Sequence, residues 1–274
     1  MKKQIILLLF LVLAAVGLDY ETQAYTYGSM SGTSYGIVGL AALLALLYII
    51  PALLTIRYLG RKWQTPPQSL AIALLGGLFI AGWTSGLANT YIHEWVSANF
   101  PNTLISDLEN ALAAPLVEEP LKLLAVGFAL YLAPVKQFKS ILLVGITAGM
   151  GFQISEDFSY ILSDLPQGFS YTISGILGRI TGGIASHWLY TGLTALGLAL
   201  MLRYAKTQKT YFRAGLFYFL AAFVLHFLWN SPLTAIETDI PIITPAMTAL
   251  AVYLFYQACR TIRKMERDEW EGEH

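Results

Sequence analysis

The chain has 274 residues, of which 56% are hydrophobic and only 12% charged, and its formal net charge is zero. Soluble domains carry about 25% charged residues, so this composition excludes an ordinary water-soluble globule and makes the lipid bilayer the first partner to expect. One cysteine, Cys259, leaves no intrachain disulfide and no cysteine-built metal site; no nucleic-acid partner is expected.

Several apolar runs approach the ~20 residues that cross hydrocarbon. In chain order they predict an all-α, polytopic transmembrane helix bundle of about eight helices: 4–18, 36–56, 68–91, 112–133, 140–162, 180–202, 213–231 and 241–259. The first run follows Lys2 and Lys3 and has small residues near Ala15 and Gly17. That pattern also suits a secretory signal, whose cleavage would leave seven helices. Between the runs, 19–35 reads as an outer loop. Segment 93–110 reads as a surface stretch or short interfacial helix, and 166–178 as a Gly/Ser-rich outer piece able to dip into the membrane. Small residues thread the fifth and sixth helices at Gly145, Gly149, Gly151, Gly182, Gly183 and Ala185, a spacing that lets helix backbones approach closely in lipid.

Charge placement orients the bundle. Every Lys and Arg except Lys122 and Arg179 falls on one side of an eight-helix threading, whereas Asp19, Glu21, Glu94, Asp107, Glu109, Asp164, Glu237 and Asp239 fall on the other. The positive-inside rule then places both termini in the cytoplasm, N-in and C-in. The organisation expected is 1–111 for the N-terminal transmembrane helices and outer loops, 112–231 for a functional core, and 232–274 for the last span and a cytoplasmic tail.

Within the core, apolar stretches carry groups that lipid-facing helices avoid: Glu118, Glu119, Lys122, Glu156, Asp157, His187, His226 and Asn230. A charge at bilayer depth costs at least ~2.5–3.5 kcal/mol and usually marks function. At ~1.5 Å rise per residue, Glu118, Glu119, Glu156, His187 and His226 all lie roughly 8–12 Å below the outer ends of their helices, in one layer. Lys122 is spaced to neutralise either neighbouring glutamate. Pro120 is expected to kink its helix beside them. Asp157 points about 100° away from Glu156 on a helix of 3.6 residues per turn and stays outside the layer. Arg179 reads as an interface anchor or a contact for a substrate carboxylate, and His93 and His274 as incidental.

Glu118-Glu119-Pro120-Leu121-Lys122 resembles the EExxK motif of the PrsW family of intramembrane proteases. Phe152-Gln153-Ile154-Ser155-Glu156 resembles its FxxxE motif. His226-Phe227-Leu228-Trp229-Asn230 resembles its HxxxD motif, with Asn in the last place, an ending similar to the HxxxN of the related CAAX-type prenyl endopeptidases. The resemblance covers about 112–231. It implies a metalloprotease that hydrolyses a peptide bond of a membrane-tethered protein, such as an anti-sigma factor, near the outer face of a bacterial plasma membrane.

Two mechanisms fit these residues. In one, His187, His226 and a carboxylate, Glu119 or Glu156, hold Zn²⁺ with an open position for water, and Glu118 is the general base. In the other there is no metal: a buried glutamate activates water, and His226 with Asn230 stabilises the oxyanion. The candidate catalytic set is Glu118, Glu119, Glu156, His187, His226 and Asn230, with Glu119, His187 and His226 as the metal set. A non-catalytic membrane scaffold and an ion-coupled transporter are the rival classes. The absence of an inverted repeat and the confinement of polar groups to one layer weigh against transport.

Overall fold

A computed structural model describes residues 1–26, 30–235 and 242–273. The elements are α1 (Lys2–Thr26), α2 (Gly32–Lys62), α3 (Pro67–Gly76), α4 (Gly82–Asn99), α5 (Leu104–Leu132), α6 (Phe138–Asp164), α7 (Phe169–Gly182), α8 (His187–Tyr204), α9 (Lys209–Trp229) and α10 (Ile243–Glu273). A π-helical turn, Gly77–Ala81, joins α3 to α4, and a 3-10 turn, Gly183–Ala185, lies between α7 and α8. With those two pairs each taken as one rod, the described residues form eight rods and no strand.

Six of the rods are long and apolar enough to cross a membrane: Lys2–Gln23, Gly32–Lys62, Pro67–Asn99, Phe138–Gln167, Phe169–Tyr204 and Lys209–Trp229. α5 differs because every 18-residue window along it contains at least three charged residues, Glu118 and Glu119 always among them. In α10 the apolar half gives way after Cys259 to a charged tail. Leu43, Leu47 and Leu54 of α2 point outward and exposed, as a lipid-facing helix surface requires.

Local chemistry sets the helix ends. Ser31 caps α2 by accepting from the Ser34 backbone N–H, and Thr103 and Ser106 cap α5 reciprocally. α3 opens on Pro67, where a missing N–H costs nothing. α5 runs unbroken through Pro115 and Pro120.

The boundaries depart from the sequence reading in three places. The outer loop expected over 19–35 is mostly helix, because α1 continues to Thr26 and α2 begins at Gly32. Glu21 is held there by Ser155, whose hydroxyl donates to its carboxylate at 2.6 Å. The surface segment expected over 93–110 is divided between the end of α4 and the start of α5. The Gly/Ser-rich piece at 166–178 forms most of α7, and the helix expected over 180–202 begins instead at His187. The break falls where Gly182 and Gly183 meet Ser186, whose non-helical backbone (φ −124°, ψ −129°) ends the helical run.

α6 is the central rod, buried on nearly all sides from Ser140 to Ser155 and packed against α8, α3, α5 and α2. Its approach to α8 depends on Gly145 and Gly149. A Cβ at Gly149 would stand 2.4 Å from the backbone oxygen of His187, and one at Gly145 2.7 Å from that of Thr191. Side chains there would push the helices apart, so these glycines bring the start of α8 to α6.

Candidate active site

Three residues of α5 form the floor. Glu119 and Lys122 have no solvent exposure and Glu118 only 3%. Lys122 Nζ lies 2.6 Å from Glu119 Oε1 and 3.5 Å from Glu118 Oε2, and it sits 4.3 Å from the centre of the Phe152 ring. A buried ammonium survives only with such compensation.

The hydrogen bonds define both imidazoles. Lys122 Nζ lies 3.1 Å from His187 Nδ1. An ammonium only donates, so Nδ1 is the acceptor; Nε2–H then donates to Glu156 Oε2 at 3.0 Å. His226 Nδ1 lies 3.1 Å from Glu119 Oε1. A carboxylate only accepts, so Nδ1 carries the proton and Nε2 presents a bare lone pair. Glu119 is anchored further by the hydroxyls of Thr191 (3.3 Å) and Thr194 (3.4 Å). The Tyr190 ring stacks on His226.

Glu118 Oε1 accepts from the side-chain amide of Asn89 at 3.1 Å. Its other oxygen, Oε2, and His226 Nε2 are both buried without a hydrogen-bond partner, and they face each other at 3.5 Å. Two acceptors in that position repel unless a cation or a donor lies beside them. His187 Nδ1 is 3.8 Å from the same Oε2. Ligand atoms of Glu118, His187 and His226 all fall within 4.8 Å of one another. Ligands at ~2.0–2.2 Å on a tetrahedral ion stand roughly 3.3–3.6 Å apart, so the trio matches a three-ligand site once the ligands move slightly inward and Lys122 releases the Nδ1 lone pair of His187 to the ion.

The carboxylate in this trio is Glu118, whereas the sequence reading put Glu119 there. Neighbours on a helix point about 100° apart, and only the packing decides which one lies near both histidines. Glu119 is instead occupied by Lys122, two threonines and the N–H of His226.

Glu156 stands at the edge of the cluster. Arg179 of α7 pairs with both Glu156 and Asp157 and covers the Tyr160 ring at 4.0 Å. Tyr48 of α2 donates to Asp157 at 2.5 Å. Asp157, set apart in the sequence reading, is thus buried one step from the centre. A cavity of about 250 Å³ opens here, bounded by Glu156, His187, Arg179, Trp229 and Asn230. Asn230 caps α9 on the wall of this cavity, outside the trio. His93 pairs with Glu109 at the surface, away from the site; His274 lies outside the described residues.

Sequence reasoning missed Asn89, Thr191, Thr194 and the Tyr48–Asp157–Arg179 chain. The threonines had a signal, since they follow His187 by four and seven residues on one helical face. Asn89 had none, because α4 meets α5 only in the fold.

A multi-pass helical bundle thus surrounds a buried carboxylate and two imidazoles that could hold a metal ion, an arrangement consistent with a membrane-embedded catalytic site. The model of the PrsW family of intramembrane metalloproteases matches residues 65–258, most of the chain, and the chain belongs to that family. It is therefore a multi-pass integral membrane enzyme. No curated protein and no solved structure matches it.

Proposed function

We propose that this protease hydrolyses a peptide bond of a membrane-tethered protein near the outer face of a bacterial plasma membrane, with Zn²⁺ held by Glu118, His187 and His226. An anti-sigma factor is the kind of substrate the family likeness suggests. The carrying observation is a pair of buried acceptors without hydrogen-bond partners, Glu118 Oε2 and His226 Nε2, standing 3.5 Å apart beside His187, with Lys122 Nζ 3.5 Å from Glu118 Oε2 as the nearby cation. When bound, the ion supplies Lewis-acid polarisation of a carbonyl and lowers the pKa of water.

The protein's own groups do the rest. Glu119 accepts from His226 Nδ1–H and so keeps the Nε2 lone pair aimed at the centre. Asn89 orients Glu118. Glu156, which borders the open cavity, takes a proton from the attacking water and returns it to the leaving amine. Asn230, on the same wall, donates to the carbonyl oxygen as negative charge develops there. Relative to the sequence reading, Glu118 moves from base to ligand, and Glu119 from ligand to support.

Zinc content and cleavage of a single-span reporter protein, measured together, test this assignment. Glu118→Gln and His226→Ala should lose both metal and cleavage; Glu156→Gln should keep metal and lose cleavage. Full metal in Glu118→Gln and His226→Ala would reject the ligand set. Cleavage by Glu156→Gln at the wild-type rate would reject the base.

A further inference from the structure

The catalytic cluster is buried among helices, so a substrate must reach it along the structure. A second cavity, about 350 Å³, lies between α2, α6, α8 and α10. On α6 it is bordered by Leu143, Ile146, Met150 and Gln153, spaced as one helix face. The next positions on that face, Asp157 and Tyr160, border the polar cavity containing Glu156 and His187. The two cavities share Gln153 and Gly183. Gln153 lies at this threshold, its amide donating to Gly183 O (3.4 Å) and accepting from Ser186 Oγ (2.9 Å). Ala52, Thr55 and Ile56 of α2 form one wall of the apolar cavity, and Trp188 of α8, packed on Phe255 of α10, forms the other.

We infer that this apolar groove is the docking site for the substrate's own membrane-spanning segment, which enters from lipid between α2 and α10 and leads the chain past Gln153 to the catalytic cavity. Its apolar walls match a spanning segment, and its position next to the cavity of Glu156 and His187, with Gln153 and Gly183 bordering both, distinguishes it from the lipid-facing surface elsewhere. The inference rests on the proteolytic reading for its purpose but not for its test.

The probe is a synthetic single-span Ala/Leu peptide with a photoactivatable benzoylphenylalanine at its centre, mixed with the full-length protein in phosphatidylcholine liposomes. Cross-links mapped by mass spectrometry should fall on Ile146, Met150 or Trp188. They should be lost in Ala52→Trp and in Thr55→Phe, two independent obstructions of the groove, and kept in Glu118→Gln. Cross-links spread along Leu43, Leu47 and Leu54, unchanged by either obstruction, would overturn the inference. So would groove labelling by a photoactivatable lipid that excess peptide does not displace. Groove cross-links in a wild-type protein that cleaves no spanning substrate would uphold the groove and count against the proteolytic reading alone.

Discussion

Lys122 Nζ lies 2.6 Å from Glu119 and 3.1 Å from Nδ1 of His187, so one fully buried cation ties α5 to α8. Lys122→Met removes the positive charge and leaves Glu119 as a buried carboxylate with two hydroxyls and one imidazole around it. Breaking one side of a buried pair typically costs about 3–5 kcal/mol. Thermal unfolding in detergent should show a large fall in the midpoint for Lys122→Met. A midpoint equal to wild type would mean that the lysine is not a structural cation.

Adjacent glutamates should behave differently when each is made isosteric and neutral. Glu118→Gln keeps the contact to Asn89 but presents a neutral amide to His226 Nε2, so metal binding should fail while the fold persists. Glu119→Gln leaves the trio in place but deprives Lys122 of its nearest anion, so its unfolding midpoint should fall well below that of Glu118→Gln. Metal content and thermal unfolding of the two variants, side by side, separate the roles. Equal loss of stability in both would contradict the division.

Asn89 lies outside the sequence motifs and touches the proposed ligand Glu118. Partners of this kind typically tune metal affinity by ~10–100-fold. Asn89→Leu should weaken zinc binding by that order in a chelator competition, with little change in unfolding. Unchanged affinity would show that Glu118 needs no orientation from α4.

At Gly149, α6 passes against the backbone of His187, the first residue of α8. Gly149→Ala would press a methyl group on the backbone oxygen of His187, an atom that cannot swing away. Overpacking of this sort costs about 1–3 kcal/mol, and here it should also move His187 away from Glu156. Cleavage should therefore fall more steeply than stability. Gly86→Ala, where a Cβ meets open space, is the control and should change neither.

Much of the fold was legible because lipid imposes simple demands. Each of the eight expected helices has a counterpart, since apolar runs such as the one in α2 must satisfy their backbone bonds internally. The boundaries that failed did so where side chains find partners across the bundle. Glu21 looks like an outer-loop residue until Ser155 is seen to donate to it, and α8 starts late because a Gly-Gly-Ile-Ala-Ser stretch cannot be told from helix by apolarity alone.

The sequence by itself determined the class and marked Glu118, Glu119, Lys122, Glu156, His187 and His226 as groups out of place in hydrocarbon, because a charge there stands out in any register. Tertiary structure alone decided which of two adjacent glutamates lies near both histidines. It also decided that Lys122 bonds His187 and that Arg179 is held by Glu156 and Asp157. Those choices depend on rotations of about 100° per residue and on glycine contacts a few ångströms wide, which helical periodicity does not encode.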